Sequence, residues 1–266
     1  MTNTRKHIVI TGSTRGIGYG LAQSFLALGC SVTVGGRGEM ASVETARRLA
    51  SAFEAQQVLG LACDVTIPAQ VQALWDKSVE RFDKVDIWVN NAGWSGDEGM
   101  VWDLPAGEIE SIISTNILGT AYGAQTALRG MLKQGFGAIY NMEGMGGDGR
   151  KHAGLTMYGT TKYAIHYFTE SLALEARHTP IVIGSLRPGM VITDLIVDRY
   201  KDRPVDWERA KKVFNIIAER IETVTPWLAR QMLANQRRGA VLSYSSNIKM
   251  IWRFASSILV KRDLFS

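Results

Sequence analysis

Apolar residues along the chain alternate between short continuous runs and longer stretches with a helical period. His7–Ile10, Ser31–Gly36, Val58–Cys63, Val85–Val89, Ala138–Met142 and Ile181–Arg187 are the short runs, bounded by Gly, Asn, Asp or Pro, and they predict buried strands. Between them Tyr19–Leu28, Ser42–Ala55, Pro68–Phe82, Ile109–Lys133 and Thr156–Arg177 repeat apolar positions at helical spacing. In the first of these, positions 21, 22, 25, 26 and 28 form one face, and Gly29 stops the helix as a C-cap glycine does. Residues 94–107 and 144–154 carry turn-forming composition and predict loops. Strands alternating with helices in this order predict an α/β protein with a parallel sheet covered on both faces. No linker composition interrupts the alternation, so one domain is expected over 1–266.

The first strand runs into Thr11–Gly18, T-G-S-T-R-G-I-G, and a helical pattern follows at once. Such a turn presents unpaired amides and the positive end of a helix dipole to an anion. Gly12 permits the tight turn, Gly16 lets a pyrophosphate approach the backbone, and Gly18 lets the helix approach the sheet. Surface turns also produce glycine triplets, and the strand–turn–helix context is what gives this one meaning. The next strand ends Gly35-Gly36-Arg37, where many dinucleotide sites carry an acid for the ribose hydroxyls. Arg37 and Arg15 together suit a 2′-phosphate, so NADP(H) is expected over NAD(H). The alternative is a pair of solvated surface arginines.

Tyr158 and Lys162, in M-Y-G-T-T-K, stand one turn apart on one helix face. A free phenol titrates near ~10, and a neighbouring ammonium favours its phenolate and brings it into acid–base range. Tyr158 is therefore a candidate proton donor to a carbonyl oxygen as hydride reaches its carbon, or acceptor in reverse. Tyr-x-x-x-Lys is common on surface helices; here it follows the glycine turn within one α/β alternation.

With these motifs in order, the chain resembles the short-chain dehydrogenase/reductases over nearly its full length. The resemblance implies a single-domain Rossmann fold, a doubly wound parallel sheet with helices on both faces. It implies a cofactor site made by Gly12, Ser13, Thr14, Arg15, Gly16, Ile17 and Gly18 at the phosphates, with Asp64 and Val65 at the adenine. Asn91, Ala92 and Gly93, in N-N-A-G, would stand behind the cofactor, and Pro188, Gly189, Val191 and Thr193 would hold the carboxamide. Asn116, in S-T-N-I-L-G, matches the asparagine of a water-mediated proton relay, Tyr158 the acid–base, and Lys162 the nicotinamide-ribose clamp.

The family's substrate-binding serine is missing. Its place in N-M-E-G-M-G-G falls on Gly144 or nearby, and no Ser lies between Ala138 and Tyr158. One donor to a developing oxyanion is typically worth about 10²–10³ in rate. Either Tyr158 works alone, a backbone amide of the glycine-rich loop or Thr156 replaces the serine, or the protein binds NADP(H) without turnover as a sensor or scaffold. The backbone amide is the expected donor, since Gly144, Gly146 and Gly147 allow close approach. The same stretch, with S-L-R-P-G-M-V-I-T-D-L and V-F-N-I-I-A-E-R-I-E-T-V-T-P-W-L-A-R, is similar to the chlorophyll(ide) b reductases. That resemblance implies reduction of a bulky apolar aldehyde or ketone, the formyl group of chlorophyll(ide) b among them, to an alcohol.

Bulk composition narrows the rest. The chain is 46% hydrophobic and 21% charged, ordinary for a globular protein with a sizeable core. Its net charge of +5 comes from scattered residues without an arginine-rich tract, so nucleic acid is not an expected partner. Cys30 and Cys63 lack metal spacing; no metal is expected, and buried thiols in a reducing compartment are. The segment M-T-N-T-R-K has no apolar signal core and no run suits a membrane span, which predicts a cytoplasmic location. A mostly helical insertion at 190–236, basic at Lys201–Arg203, Arg209, Lys211 and Lys212, is the expected substrate lid. Its charges read as a solvated helix face or as attraction for an acidic ligand. Residues 247–266 form an amphipathic stripe, expected to dock on the body or a partner subunit, with peripheral membrane contact as the alternative. The long helices at 109–133 and 156–177 resemble those that pair subunits in the family, implying a homodimer or homotetramer.

Overall fold

The computed structural model describes residues 5–201, 203–245, 252–253 and 262–265. Its seven strands are β1 (His7–Thr11), β2 (Ser31–Gly36), β3 (Val58–Ala62), β4 (Ile87–Asn90), β5 (Gly137–Met142), β6 (Ile181–Arg187) and β7 (Ala240–Ser243). They form one parallel sheet in the order β3-β2-β1-β4-β5-β6-β7. The helices are α1 (Gly16–Ala27), α2 (Glu39–Ala52), α3 (Pro68–Phe82), α4 (Ala106–Ile113), α5 (Gly119–Gln134), α6 (Thr156–Glu175), α7 (Asp194–Val197), α8 (Pro204–Ile217) and α9 (Ile221–Ala234).

The strand period of two divides the core into two layers. Ile8 and Ile10 of β1 point to one face, against Leu21 and Phe25 of α1 and Leu228 of α9. Val9 points to the other, with Trp75 of α3, Met131 of α5 and Ile183 of β6. All of these are buried to 7% exposure or less, so both faces of the sheet are dry. Continuous apolar strands, rather than alternating ones, are what such a sheet requires. This is the doubly wound Rossmann architecture expected from the chain's alternation.

Three elements depart from the expectation. The single long helix over Ile109–Lys133 begins at Ala106 and is broken by a π-helical turn at Ser114–Leu118. The expected lid is shorter than 190–236, because α9 belongs to the body. Its Val224, Leu228 and Ala229 are fully buried, and Gly20 of α1 leaves the room that Ile221 fills. A Cβ at Gly20 would stand 2.3 Å from Ile221 Cγ2. Strand β7, absent from the sequence reading, pairs with β6 from Gly184↔Ala240 to Arg187↔Ser243. It is short and half-exposed at the sheet edge, so it carries no buried apolar run. Of the amphipathic stripe at 247–266, most lies outside the described residues.

Candidate active site

The C-terminal ends of the central strands open on a cavity of about 590 Å³. It lies where strand order reverses between β1 and β4, the place where open α/β sheets bind ligands. At one end is the turn 11–18. Gly12 has φ +61°, and a Cβ there would stand 2.6 Å from Ala92 Cα, so the turn closes on the β4 loop only with glycine. Asn91 Nδ2 fastens it from below, donating to the carbonyls of Thr11 at 3.0 Å and Gly12 at 2.9 Å. Thr11 Oγ1 accepts the amides of Asn91 and Ala92, both at 3.1 Å. The N-terminus of α1 thereby borders the cavity, with Gly16, Ile17 and Gly18 in its lining.

Thr14, Arg15, Ile17, Arg37, Asp64, Val65, Ala92 and Gly93 line the same end, as expected. Ser13 does not. Its buried hydroxyl donates to Ile10 O at 2.7 Å and accepts from Gly35 N at 3.0 Å, pinning β1 to β2. Asp64 Oδ1 is engaged by Thr66 in the turn that starts α3, through its amide at 2.9 Å and hydroxyl at 2.7 Å. Arg15 reaches toward Asp198 at 3.7 Å, and Arg37 is exposed at the end of β2. Cys63 also lines the wall, and burial pushes its thiol up to about 12, which leaves it inert.

At the other end, α6 presents Tyr158 and Lys162. Lys162 is 3% exposed and donates from Nζ to Met142 O at 3.0 Å. Burial brings its ammonium down to about 8, against the opposing charge of Glu143. Lys162 Nζ is 5.6 Å from the centre of the Tyr158 ring. Gly144, at or near the expected serine position, faces Tyr158, and a Cβ there would stand 2.6 Å from Tyr158 Oη. The tyrosine hydroxyl thus sits against the face of Gly144 that a side chain would cover. Thr156 is exposed and does not line the cavity, so it is no substitute donor. The amides of Gly147 and Gly149 are spent on Gly144 O and Gly146 O, leaving those of Gly144, Met145 and Gly146 as candidates.

Asn116 lies behind the wall rather than in it. The π-helical turn places it at 0% exposure, where its amide donates to Trp94 O at 2.8 Å and to Thr161 Oγ1 at 2.9 Å. Its Oδ1 accepts from Trp94 N at 2.8 Å, so its side chain ties the β4 loop to α6. Pro188, Gly189, Val191 and Thr193 line the cavity after β6. This segment bridges to Glu219, with Ile192 N donating to Glu219 O at 3.0 Å and Glu219 N to Met190 O at 2.9 Å.

Trp94, Met145, Leu155, Tyr200, Phe214 and Ile217 give the outer chamber an apolar lining. Helix α8 caps it with a ring cluster, Trp207 lying 5.4 Å from Tyr200 and 4.9 Å from Phe265 between centroids. Arg203 bridges from the cap to Glu98 at 2.9 Å, across the mouth. The basic run of this segment is largely matched locally, Lys201 to Asp198 at 2.7 Å and Lys211 to Glu208 at 2.6 Å. Arg253 and Arg262 both clasp Glu219, the latter at 3.1 Å. These described parts of the 247–266 stripe dock on the body. No helix among the described residues is long and apolar enough to cross a membrane.

Sequence reasoning passed over Glu143 and Arg187 as site residues, although N-M-E-G and S-L-R-P-G were in view. Glu143 is 1% exposed, and both its oxygens are held, Oε2 by Arg187 Nε at 2.5 Å and Oε1 by His166 Nδ1 at 3.1 Å. A buried acid on the loop after β5 reads, in sequence, like any loop carboxylate.

A glycine turn on a helix N-terminus, a Tyr–Lys pair across the cavity and an apolar outer chamber are features that suit a nicotinamide dinucleotide. The residues present fit such a cofactor, since Gly12, Gly16 and Gly18 line the cavity at the N-terminus of α1 and put no side chain into it. The short chain dehydrogenase family matches residues 6–204, and the chain belongs to it. It is 30% identical over 255 residues to the probable chlorophyll(ide) b reductase NYC1 of Oryza sativa, covering 90% of this chain and 49% of that one. It is 33% identical over 240 residues to the chlorophyll(ide) b reductase NOL of Arabidopsis thaliana, covering 88% and 67%. The chain thus spans about half the length of the NYC1 relative; both relatives are named chloroplastic. Among solved structures, an actinorhodin polyketide ketoreductase variant with NADPH superposes with TM-score 0.82 at 25% identity, covering 92% of this chain and 97% of that one. Levodione reductase superposes with TM-score 0.83 at 22% identity, over 92% and 97%, and shows the shared fold.

Proposed function

We propose that the protein is an NADP(H)-dependent carbonyl reductase acting on a bulky, apolar aldehyde or ketone, with the formyl group of chlorophyll(ide) b a leading candidate. The observation that carries this is the Tyr158 hydroxyl against Gly144, beside buried Lys162 and facing an apolar chamber. When bound, the nicotinamide supplies hydride to the carbonyl carbon. Tyr158 gives its Oη proton to the carbonyl oxygen, and Lys162 stabilises the phenolate left behind. With no serine, the Tyr158 hydroxyl takes up the space over Gly144, and the amides of Gly144–Gly146 supply the second donor.

Arg37 and Arg15 support NADP(H), since two guanidiniums suit a 2′-phosphate and the end of β2 carries no acid. The substrate reading draws on the likeness to chlorophyll(ide) b reductases. A subunit-paired assembly, a cytoplasmic location and membrane contact by 247–266 remain proposals by analogy with the family and from composition. The test is NADPH oxidation with a panel of aldehydes and ketones, bulky apolar ones of pigment, retinal and steroid type beside small polar ones. Turnover confined to bulky apolar members is expected; tight NADPH binding with no oxidation across the panel would support the sensor reading instead. For the cofactor, Arg37→Asp is expected to weaken NADPH roughly 10- to 100-fold, the loss of a charged hydrogen bond, while NADH is little changed. An unaltered ratio of the two dissociation constants removes Arg37 from the site.

A further inference from the structure

Glu143 is a fully buried carboxylate that the reaction described above does not use. It follows Met142, whose carbonyl holds Lys162 Nζ, and precedes Gly144, which faces Tyr158. Its two oxygens are clamped from different elements, by Arg187 at the end of β6 and by His166 of α6. Tyr158, Lys162, His166 and Glu170 repeat every four residues along α6 and so form one stripe. His166 Nε2 continues that stripe to Glu170 at 3.5 Å, which is exposed. The Arg187 Nη2 also lies 3.2 Å from His166 Nδ1 and 3.4 Å from Gly147 O.

We propose that Glu143 is a positioning residue for proton transfer: its carboxylate is the counter-ion that keeps Lys162 protonated inside the wall. The proposal rests on the reading of Tyr158 and Lys162 as acid–base and clamp. An ammonium taken out of water loses several kcal/mol of solvation unless a charge opposes the loss. The groups facing Lys162 can be taken element by element. On its own helix stand Tyr158 and His166, β6 contributes the cation Arg187, and the β4 loop with the π-helical turn contributes Gly93 and Asn116, both uncharged. The loop after β5 contributes Glu143, the one described anion acting on the lysine. The clamp matters as much as the charge. With Oε2 on Arg187 and Oε1 on His166, the carboxylate is restrained from swinging round to capture Lys162 in a closed ion pair. The ammonium therefore stays directed at Met142 O, near Tyr158, where phenol and ribose need it.

The experiment is the dependence of NADPH dissociation constant and of kcat/KM on pH from 6 to 10, in the full chain and in Glu143→Gln. Both should show an alkaline limb as Lys162 loses its proton. Gln keeps the shape and removes the charge, so the limb should move down by up to about 1 pH unit, less than a close unshared opposite charge gives, because Arg187 shares the carboxylate. At pH 6 NADPH binding should stay near that of the unaltered protein. Glu143→Asp, which restores the charge, should bring the limb part of the way back. Removing one partner of a buried pair threatens folding. Thermal melts accompany each variant, and Glu143→Gln/Arg187→Gln, which removes both charges, should shift the limb the same way by less. An unmoved limb, no limb in the unaltered protein, or an equal loss at every pH overturns the proposal. The binding arm needs no turnover, so a shifted limb without carbonyl reduction would overturn the reductase reading and leave the counter-ion standing.

Discussion

The turn after β1 and the loop after β5 leave the sheet at the same C-terminal end of its strands, and both are built on glycine, for opposite reasons. In the first, Gly12 has a left-handed backbone and its missing Cβ would strike the backbone of Ala92. Nothing there can move, and no side chain elsewhere compensates a substitution. In the second, the missing Cβ of Gly144 would strike the tip of Tyr158, a side chain that can turn away. The first glycine is demanded by the chain's path and the second by one functional group. A backbone-defined end suits a cofactor whose phosphates are always alike; a side-chain-defined end can be retuned to its substrate without disturbing the fold.

The strongest way to break the comparison is at Tyr158. Tyr158→Phe should lower kcat by about 10²–10⁴, the worth of a positioned general acid, with NADPH binding nearly intact because the ring still packs. Activity persisting in that variant would sink the mechanism. Next in size is Gly12→Ala, where left-handed strain and overpacking together cost about 2–4 kcal/mol in denaturant unfolding. NADPH binding should be lost with it.

Gly144→Ala sharpens the contrast. It should leave stability and cofactor binding close to normal and lower kcat by up to about 10²-fold, as Tyr158 is pushed off line. In a Tyr158→Phe background it should cost nothing further, because the atom it strikes is gone. Gly12→Ala should cost as much in that background as alone. Gly144→Ser is expected to behave like the alanine, and a rise in kcat would show that the loop lacks a donor rather than supplying one from its backbone. The smallest effect belongs to the mouth of the cavity. Arg203→Ala breaks an exposed bridge to Glu98 worth about 0–1 kcal/mol, so KM should change modestly and kcat should not.

Much of this was legible in the chain. Strands β2 and β6 and helix α3 follow the apolar pattern residue for residue, because a strand buried on both faces leaves no ambiguity of register. The cofactor end was legible for the same reason that its glycines are irreplaceable, since backbone constraints show directly in residue type. Where the reading erred, the cause lies in contacts between distant segments. Ser13 has the composition of a phosphate ligand, yet β2 supplies the partners that turn it inward. Nor does any apolar period announce the π-helical turn that sets Asn116 against Trp94 and Thr161. Helix α9 looked like lid because its amphipathic face does not say what it packs on; the notch at Gly20, two hundred residues away, decides it. Glu143 gave no signal because its meaning comes from Arg187 and His166, on two other elements.

The clasp of Arg253 and Arg262 on Glu219 bears on how the protein is handled at the bench. Glu219 is stitched through its own peptide to Met190 and Ile192, in the segment that lines the cavity after β6. A purification tag or fluorescent fusion appended behind residues 262–265 pulls on that stitch, and assay results would then vary with tag and linker. One placed ahead of β1 enters the sheet at the end of the strand opposite the cavity. The clasp also offers a spectroscopic reporter. Trp252, exposed and adjacent to Arg253, should change its emission whenever the cavity-lining segment after β6 shifts.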